Sequence, residues 1–278
     1  MKLRAPAKVN LSLRILGKRP DGFHEIETLM TPISLADDLE ITIAPGNDIV
    51  VTSDDPSLPT GLDNLAARAA DVFFHHTKLH RQTRIHLTKR IPHGAGLGGG
   101  SSDAAAVLRG LDRLCETDLP TKTLEQLAAT IGSDVPFFVR GQAAWARGRG
   151  EQIEPAPSVP DLSLLLVKPS FGVDTPWAYQ SWANSRPLPG GPTDPQSVDS
   201  LELVNDLERP VFQKFILLPV IKRWLLEQPG TQAALMSGSG STLFAICDST
   251  ERAEASAEQA REHFGPNSWV ATASTGNL

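Results

Sequence analysis

Residues Pro92-His93-Gly94-Ala95-Gly96-Leu97-Gly98-Gly99-Gly100-Ser101-Ser102-Asp103 place five glycines within seven positions, and Ala104-Ala105-Ala106 follow at once. Glycine loses more backbone freedom on ordering than any other residue, so such a run is costly inside a helix or strand. It makes sense where backbone must turn through positive φ or come close to a ligand. Ser101, Ser102 and Asp103 are good helix-starting residues, and the alanines predict a helix from about Ser101 to Cys115. The free N–H groups and positive dipole end of a helix start, joined to a glycine loop, form a site for an anion such as phosphate. A flexible linker is the competing reading, but a linker is seldom followed immediately by a capped helix.

The rest of the chain narrows what such a site can serve. The 278 residues are 40% hydrophobic and 21% charged, near the globular average, and their number suggests two domains or one large one. A net charge of −6 gives no basic footprint for nucleic acid. No apolar run approaches the ~20 residues of a membrane span, and Met1–Lys8 has no apolar signal-peptide core, so a cytoplasmic protein is expected. Cys115 and Cys247 stand far apart and read as thiols rather than a disulfide. The seven histidines form no zinc motif.

Alternation over residues 7–15 predicts a half-buried strand, with Val9, Leu11, Leu13 and Ile15 on one side and Lys8, Asn10, Ser12 and Arg14 on the other. Strands are also expected at 39–44, 49–53, 83–91, 162–167, 242–247 and 269–273. Helices are expected from Asp63-Asn64 to Lys78, from an N-cap at Thr121 to Ile131, over about 206–227 and over 250–264. Pro155, Pro157 and Pro160 mark a boundary between domains 1–156 and 157–278. The Pro/Gly/Ser-rich stretch 185–200 reads as a long loop or lid.

Gly94-x-Gly96-x-x-Gly99 formally matches a dinucleotide fingerprint. That fingerprint follows a strand buried on both faces, whereas the strand before this loop alternates and is half exposed. A Walker A loop fails too, because Gly100-Ser101 stands where Lys-Ser/Thr is required. The run from Pro92 to Ala104 instead resembles the phosphate loop of the GHMP kinases. Ala5-Pro6-Ala7-Lys8-Val9-Asn10-Leu11 resembles that family's first motif, and Met236-Ser237-Gly238-Ser239-Gly240-Ser241-Thr242 its third. Arg19-Pro20-Asp21-Gly22-Phe23-His24 and Gly132-Ser133-Asp134-Val135-Pro136 resemble the branch whose acceptor is a cytidine diphosphate-linked methylerythritol. Two departures are Phe23, where that branch usually has Tyr, and Ser133, where it often has Ala.

The resemblance implies an α+β GHMP kinase fold. It comprises an N-terminal ATP-loop domain with a left-handed βαβ unit and a C-terminal ferredoxin-like domain. It implies ATP as co-substrate with Mg2+, and phosphorylation of a 2-hydroxyl on the small-molecule acceptor in the non-mevalonate isoprenoid route. Another GHMP kinase, acting on homoserine or phosphomevalonate, is the alternative. Lys8 and Asp134 are the implied catalytic pair, acting chiefly as positioners. Residues 92–102 are the implied ATP loop, with Asn64 and Lys89 near the adenine. Asn10, Phe23, His24 and Tyr179 are the implied acceptor contacts. Taken singly, Lys8 reads more often as a solvated lysine and His24 as a structural histidine, while Asp134 reads equally as a helix cap and Tyr179 equally as core packing. Ser101 or Ser102 is the expected magnesium contact, and no carboxylate ligand is identified. A monomer or weak homodimer is expected, without nucleic-acid or membrane partners.

Overall fold

The protein is described by a computed structural model that covers residues 1–156, 159–186 and 191–275. The expected boundary between 156 and 157 meets residues 157–158, which lie outside the described residues, as do 187–190 of the expected loop.

In chain order, β1 (Lys2–Lys18) and β2 (His24–Pro45) form a long antiparallel ribbon. β3 (Ile49–Ser53), α1 (Leu65–Thr77) and β4 (Arg81–Thr88) follow, and β3 pairs parallel with β4 to make a βαβ unit. Then come α2 (Gly99–Leu114), α3 (Thr121–Ile131), α4 (Val135–Arg140), β5 (Ala144–Gly148) and β6 (Gln152–Pro155). The second half holds β7 (Ser163–Pro169), α5 (Thr175–Trp182), β8 (Gln196–Val198), β9 (Leu201–Asn205), α6 (Glu208–Lys214) and α7 (Leu217–Leu226). It closes with β10 (Thr231–Met236), β11 (Leu243–Cys247), α8 (Thr250–Phe264) and β12 (Ser268–Ser274).

One eight-stranded sheet runs β3-β4-β2-β1-β9-β8, with β5 on β2 and β6 on β5. The other runs β10-β11-β7-β12 and is antiparallel throughout. Chain order and sheet order together make it a βαββαβ, ferredoxin-like unit. Alternation along β7 divides its side chains between two cores. Leu164 and Leu166 pack with Ala7, Val9 and Leu11 of β1 between the sheets. Leu165 and Val167 pack with Leu218 and Ile221 of α7 and Ala253 and Ala257 of α8. A third core lies under α1–α4, where α2 comes close to β1 and β2. A side chain at Gly110 would lie 2.6 Å from Leu3, and Ala104, Ala105 and Ala106 are fully buried.

Several expectations change. β1 is buried on both faces over residues 7–13, not one: Ala7, Val9 and Leu11 pack between the sheets, while Lys8 lies under the glycine loop and Asn10 and Ser12 are held by Thr28 and Leu29 of β2. α2 starts at Gly99, two residues before Ser101, with Gly98 in the capping position at φ +74°. Thr121 is the first helical residue of α3 and Pro120 holds the N-cap position. On α1, Ala66, Ala69, Ala70 and Phe73 supply the buried face, and the half-buried Leu65 and Val72 pack at its margin. Part of the expected loop 185–200 is strand β8, paired antiparallel with β9. Cys115 is half-buried and Cys247 buried, both as free thiols.

Candidate active site

The segment from β4 to α2 alternates between anchored and open positions. Ala95 and Leu97 are buried in the core between the sheets, while Gly94, Gly96 and Gly98 take φ of +61°, +75° and +74°. This is the left-handed region that glycine enters without steric cost. At Gly96 space is decisive as well, since a Cβ there would lie 2.2 Å from the Ser237 carbonyl oxygen. At Gly98 a Cβ would strike the Phe138 ring at 2.7 Å. With glycine at the cap and no side-chain cap bond, the first turn of α2 leaves its N–H groups free for an anion. Ser101 is half-buried in this turn, and Ser102 is fully buried with no partner for its Oγ among the described residues.

Lys8 lies against this loop. Its backbone N–H donates to Leu97 O at 3.0 Å, and its Nζ donates to Gly96 O at 2.8 Å and Asn10 Oδ1 at 2.6 Å. Asn10 in turn donates from Nδ2 to Thr28 Oγ1, and Thr28 donates to Ser12 O. The lysine, a donor only, therefore fixes which end of the Asn10 amide faces it. Asp134 Oδ2 stands 3.9 Å from Lys8 Nζ. Asp134 occupies the capping position of α4 but makes no side-chain cap bond, which leaves the half-exposed carboxylate facing the cleft. Burial lowers the Lys8 pKa below its ordinary value, opposed by the Asp134 charge.

A cavity of about 640 Å³ opens over this pair, within the usual range for small-molecule sites. Its walls include Lys8, Asn10, Phe23, His24, Asp134, Tyr179 and the glycines 94, 96 and 98. His24 and Tyr179 are ring neighbours at 5.6 Å, and Phe23 is 53% exposed at the mouth under the Arg149 guanidinium, 4.9 Å above its ring. Burial, helped by Lys18, lowers the His24 pKa, and enclosure raises that of Tyr179 well above the phenol range. The turn 236–240 closes the opposite wall. Ser237 Oγ donates to Gly96 O at 2.9 Å, and Asn205 Nδ2 donates to Met236 O and Gly238 O at 2.7 and 2.8 Å.

Asn64 and Lys89 are not on these walls. Asn64 caps α1 through Oδ1 and gives Nδ2 to Pro59 O. Lys89 is held between Asp37 and Asp103. Sequence reasoning did not reach Thr28, Arg149, Asn205 or Ser237 as parts of the site. Ser237 lies within the motif Met236–Thr242; the other three lie in none. Among the described residues no group of three or more His, Cys, Asp or Glu side chains is gathered to hold a metal, and no helix is long and apolar enough to cross a membrane.

Comparison with known proteins agrees with this geometry. The family "GHMP kinases N terminal domain" matches residues 64–142 and "GHMP kinases C terminal" matches 201–265. A 4-diphosphocytidyl-2-C-methyl-D-erythritol kinase from Methylacidiphilum infernorum is 44% identical over 96% of this chain and 93% of its own. The chain belongs to the 4-diphosphocytidyl-2-C-methyl-D-erythritol kinase family of GHMP kinases. A second member, from Syntrophotalea carbinolica, is 41% identical over 94% of both chains. A crystal structure of 4-(cytidine 5'-diphospho)-2C-methyl-D-erythritol kinase superposes with a TM-score of 0.81 at 36% identity, covering 98% of this chain and 99% of the other. Homoserine kinase from Cytophaga hutchinsonii, at 20% identity and a TM-score of 0.66 over 98% of this chain and 93% of its own, shares the fold. The α+β GHMP kinase architecture expected from the motifs is thus the one found, and the chain is a kinase.

Proposed function

We propose that this kinase transfers the γ-phosphoryl group of ATP to the 2-hydroxyl of 4-diphosphocytidyl-2-C-methyl-D-erythritol, giving the 2-phosphate and ADP in the non-mevalonate isoprenoid route. The observation that carries the reading is the Lys8–Asp134 pair, 3.9 Å apart, standing between the glycine loop and an aromatic wall. Residues 92–102 hold the triphosphate, with backbone N–H groups as the chief donors. Phe23, His24 and Tyr179 take the cytosine, and a neutral His24 can both donate and accept toward a base edge. Phe23 retains a stacking face and lacks only the hydroxyl that Tyr would bring.

Phosphoryl transfer asks mainly for positioning and for relief of charge. Asp134, free of any capping bond, receives the acceptor proton. Lys8 spends two of its N–H bonds on Asn10 and Gly96, so its position is fixed before substrate arrives. Magnesium would neutralise phosphate charge; the unpartnered, buried Ser102 Oγ is a hard oxygen donor of the kind it takes. Asn64 and Lys89 would lie toward the adenine end, outside the acceptor cavity. We further infer a cytoplasmic enzyme, monomer or weak homodimer, whose units 1–156 and 157–278 enclose the cleft, without nucleic-acid or membrane partners.

The decisive assay is coupled ADP release with 4-diphosphocytidyl-2-C-methyl-D-erythritol, run beside homoserine and phosphomevalonate. Turnover with the cytidine compound alone is expected. Preference for either rival would make this a different GHMP kinase, and binding of NADH in place of ATP would return the loop to the dinucleotide reading.

A further inference from the structure

Beneath the glycine loop lies a charge cluster that neither the acceptor cavity nor the proposed chemistry uses. Asp37, on β2, is fully buried. Its Oδ1 accepts from the backbone N–H groups of Arg90 and Ile91 at 2.6 and 2.9 Å, and its Oδ2 accepts from Lys89 Nζ. The same ammonium donates to Asp103 Oδ2 at 2.6 Å, on the second turn of α2. Asp37 Oδ2 also sits 3.5 Å from where a Cβ of Gly99 would stand. The carboxylate thus grips the chain as it enters the loop, and through Lys89 it grips the helix that leaves it.

We propose that Asp37, Lys89 and Asp103 form a clasp that pins the two ends of the glycine loop together, and that Asp37 is a positioning residue for nucleotide binding. The proposal rests on the reading that this loop holds ATP. Residues 92–98 between the pinned ends are anchored at Ala95, Leu97 and the Gly96 carbonyl, but three glycines at positive φ stand between and beside those anchors. With its ends untied, such a segment can re-orient about those anchors at its glycines, and only a fraction of the arrangements would present its N–H groups together. Apparent affinity falls by that fraction. Lys89 then serves ATP indirectly, through loop geometry, rather than as a contact.

The test compares Asp37→Asn, Lys89→Met and the double variant by steady-state kinetics. Asn at 37 can still accept from Arg90 and Ile91 but no longer attracts the ammonium. The KM for ATP is expected to rise about tenfold in each single variant, as when the competent loop falls to about a tenth of the population. The double variant should be no worse than the poorer single one, since both break one unit, and the acceptor KM should stay within about twofold. An unchanged KM for ATP in Asp37→Asn overturns the clasp. So do additive effects, which would make Lys89 an independent nucleotide contact, and a loss of thermal stability with both KM values unmoved. If Asp37→Asn does not fold, Asp103→Asn is held to the same outcomes. Absence of ADP release from the unaltered chain would count against the functional reading alone. The clasp is then judged by hydrogen exchange at the Arg90 and Ile91 amides, which must quicken in the variant; unchanged exchange overturns it.

Discussion

Lys8 is 3% exposed, and an ammonium taken so far from water needs partners for its protons. Two are neutral oxygens, Asn10 Oδ1 and Gly96 O, and the compensating charge is Asp134 at 3.9 Å. That distance leaves room for an acceptor hydroxyl to be held by both. Asp134→Asn keeps the shape and removes the proposed proton acceptor, so kcat should fall by about 10²–10⁴-fold, the usual worth of a positioned acid–base group. Near-wild-type turnover would remove Asp134 from the chemistry. His24 supplies a pH-dependent test. Burial holds its pKa below the ordinary 6.5, so as pH falls through 6.5 the unfolded chain takes up a proton before the folded one does. Stability from this group is therefore present above pH 6.5 and is lost as pH falls toward the lower folded value. In urea unfolding, His24→Gln should flatten the decline seen as pH falls below about 6.5, and an unaltered slope would show that His24 titrates alike in both states. Lys8, Asp134, Phe23 and His24 were legible because each sits in a recognisable short motif. Arg149 was not, since a lone arginine after a strand carries no pattern until folding sets it over Phe23.

The glycine loop separates conformational need from steric need. Gly94 and Gly96 share positive φ, but nothing lies within 4 Å of a Cβ at Gly94, whereas at Gly96 the Ser237 carbonyl would be 2.2 Å away. Gly94→Ala should therefore cost about 1–2 kcal/mol, the ordinary penalty for alanine in that region. Gly96→Ala must also displace backbone that touches Lys8 and should cost about 3 kcal/mol or more with loss of turnover. Denaturant melts of the ligand-free variants compare the two, and equal costs would mean the contact between the loop and the turn at 237 gives way easily. At this scale the sequence was informative wherever a run was long and periodic. α8 has the predicted bounds, because Ser249 caps it and its alanines keep helical spacing. β2 shows the opposite. Its 22 residues pair along one edge with β1, through several register shifts, and along the other with β5 and then β4, so no single alternation runs its length, and only its last stretch was readable. β8 and β9, with 3 and 5 residues, were too short to carry a period.

Those two short strands tie the molecule together. β9 pairs parallel with β1, aligning Asn205 with Leu13, and so carries chain from the second half into the first sheet. No local pattern announces such a pairing, because it joins positions nearly two hundred residues apart, and the two-unit reading of the sequence was blind to it. From the end of β9, Asn205 reaches the turn that closes the cleft. Its Nδ2 donates to Met236 O and Gly238 O, and its Oδ1 accepts from Leu207 N at 2.9 Å. Gly238 in turn lies so near the Lys8–Asp134 pair that a Cβ there would be 3.3 Å from Lys8 Nζ. One buried amide thus aligns the second sheet's glycine turn with the strand that bears Lys8. Asn205→Ala would strip these partners from two carbonyls and one N–H. Each buried orphan costs about 1–3 kcal/mol, and the turn can recover part by shifting, so a loss of about 2–4 kcal/mol in urea unfolding is expected. The same shift draws Gly238 and Ser237 away from Lys8 and Gly96, so kcat should fall about tenfold or more while the folded fraction remains high. If kcat is kept despite the lost stability, the turn does not register on Lys8, and the two sheets hold the cleft without this link.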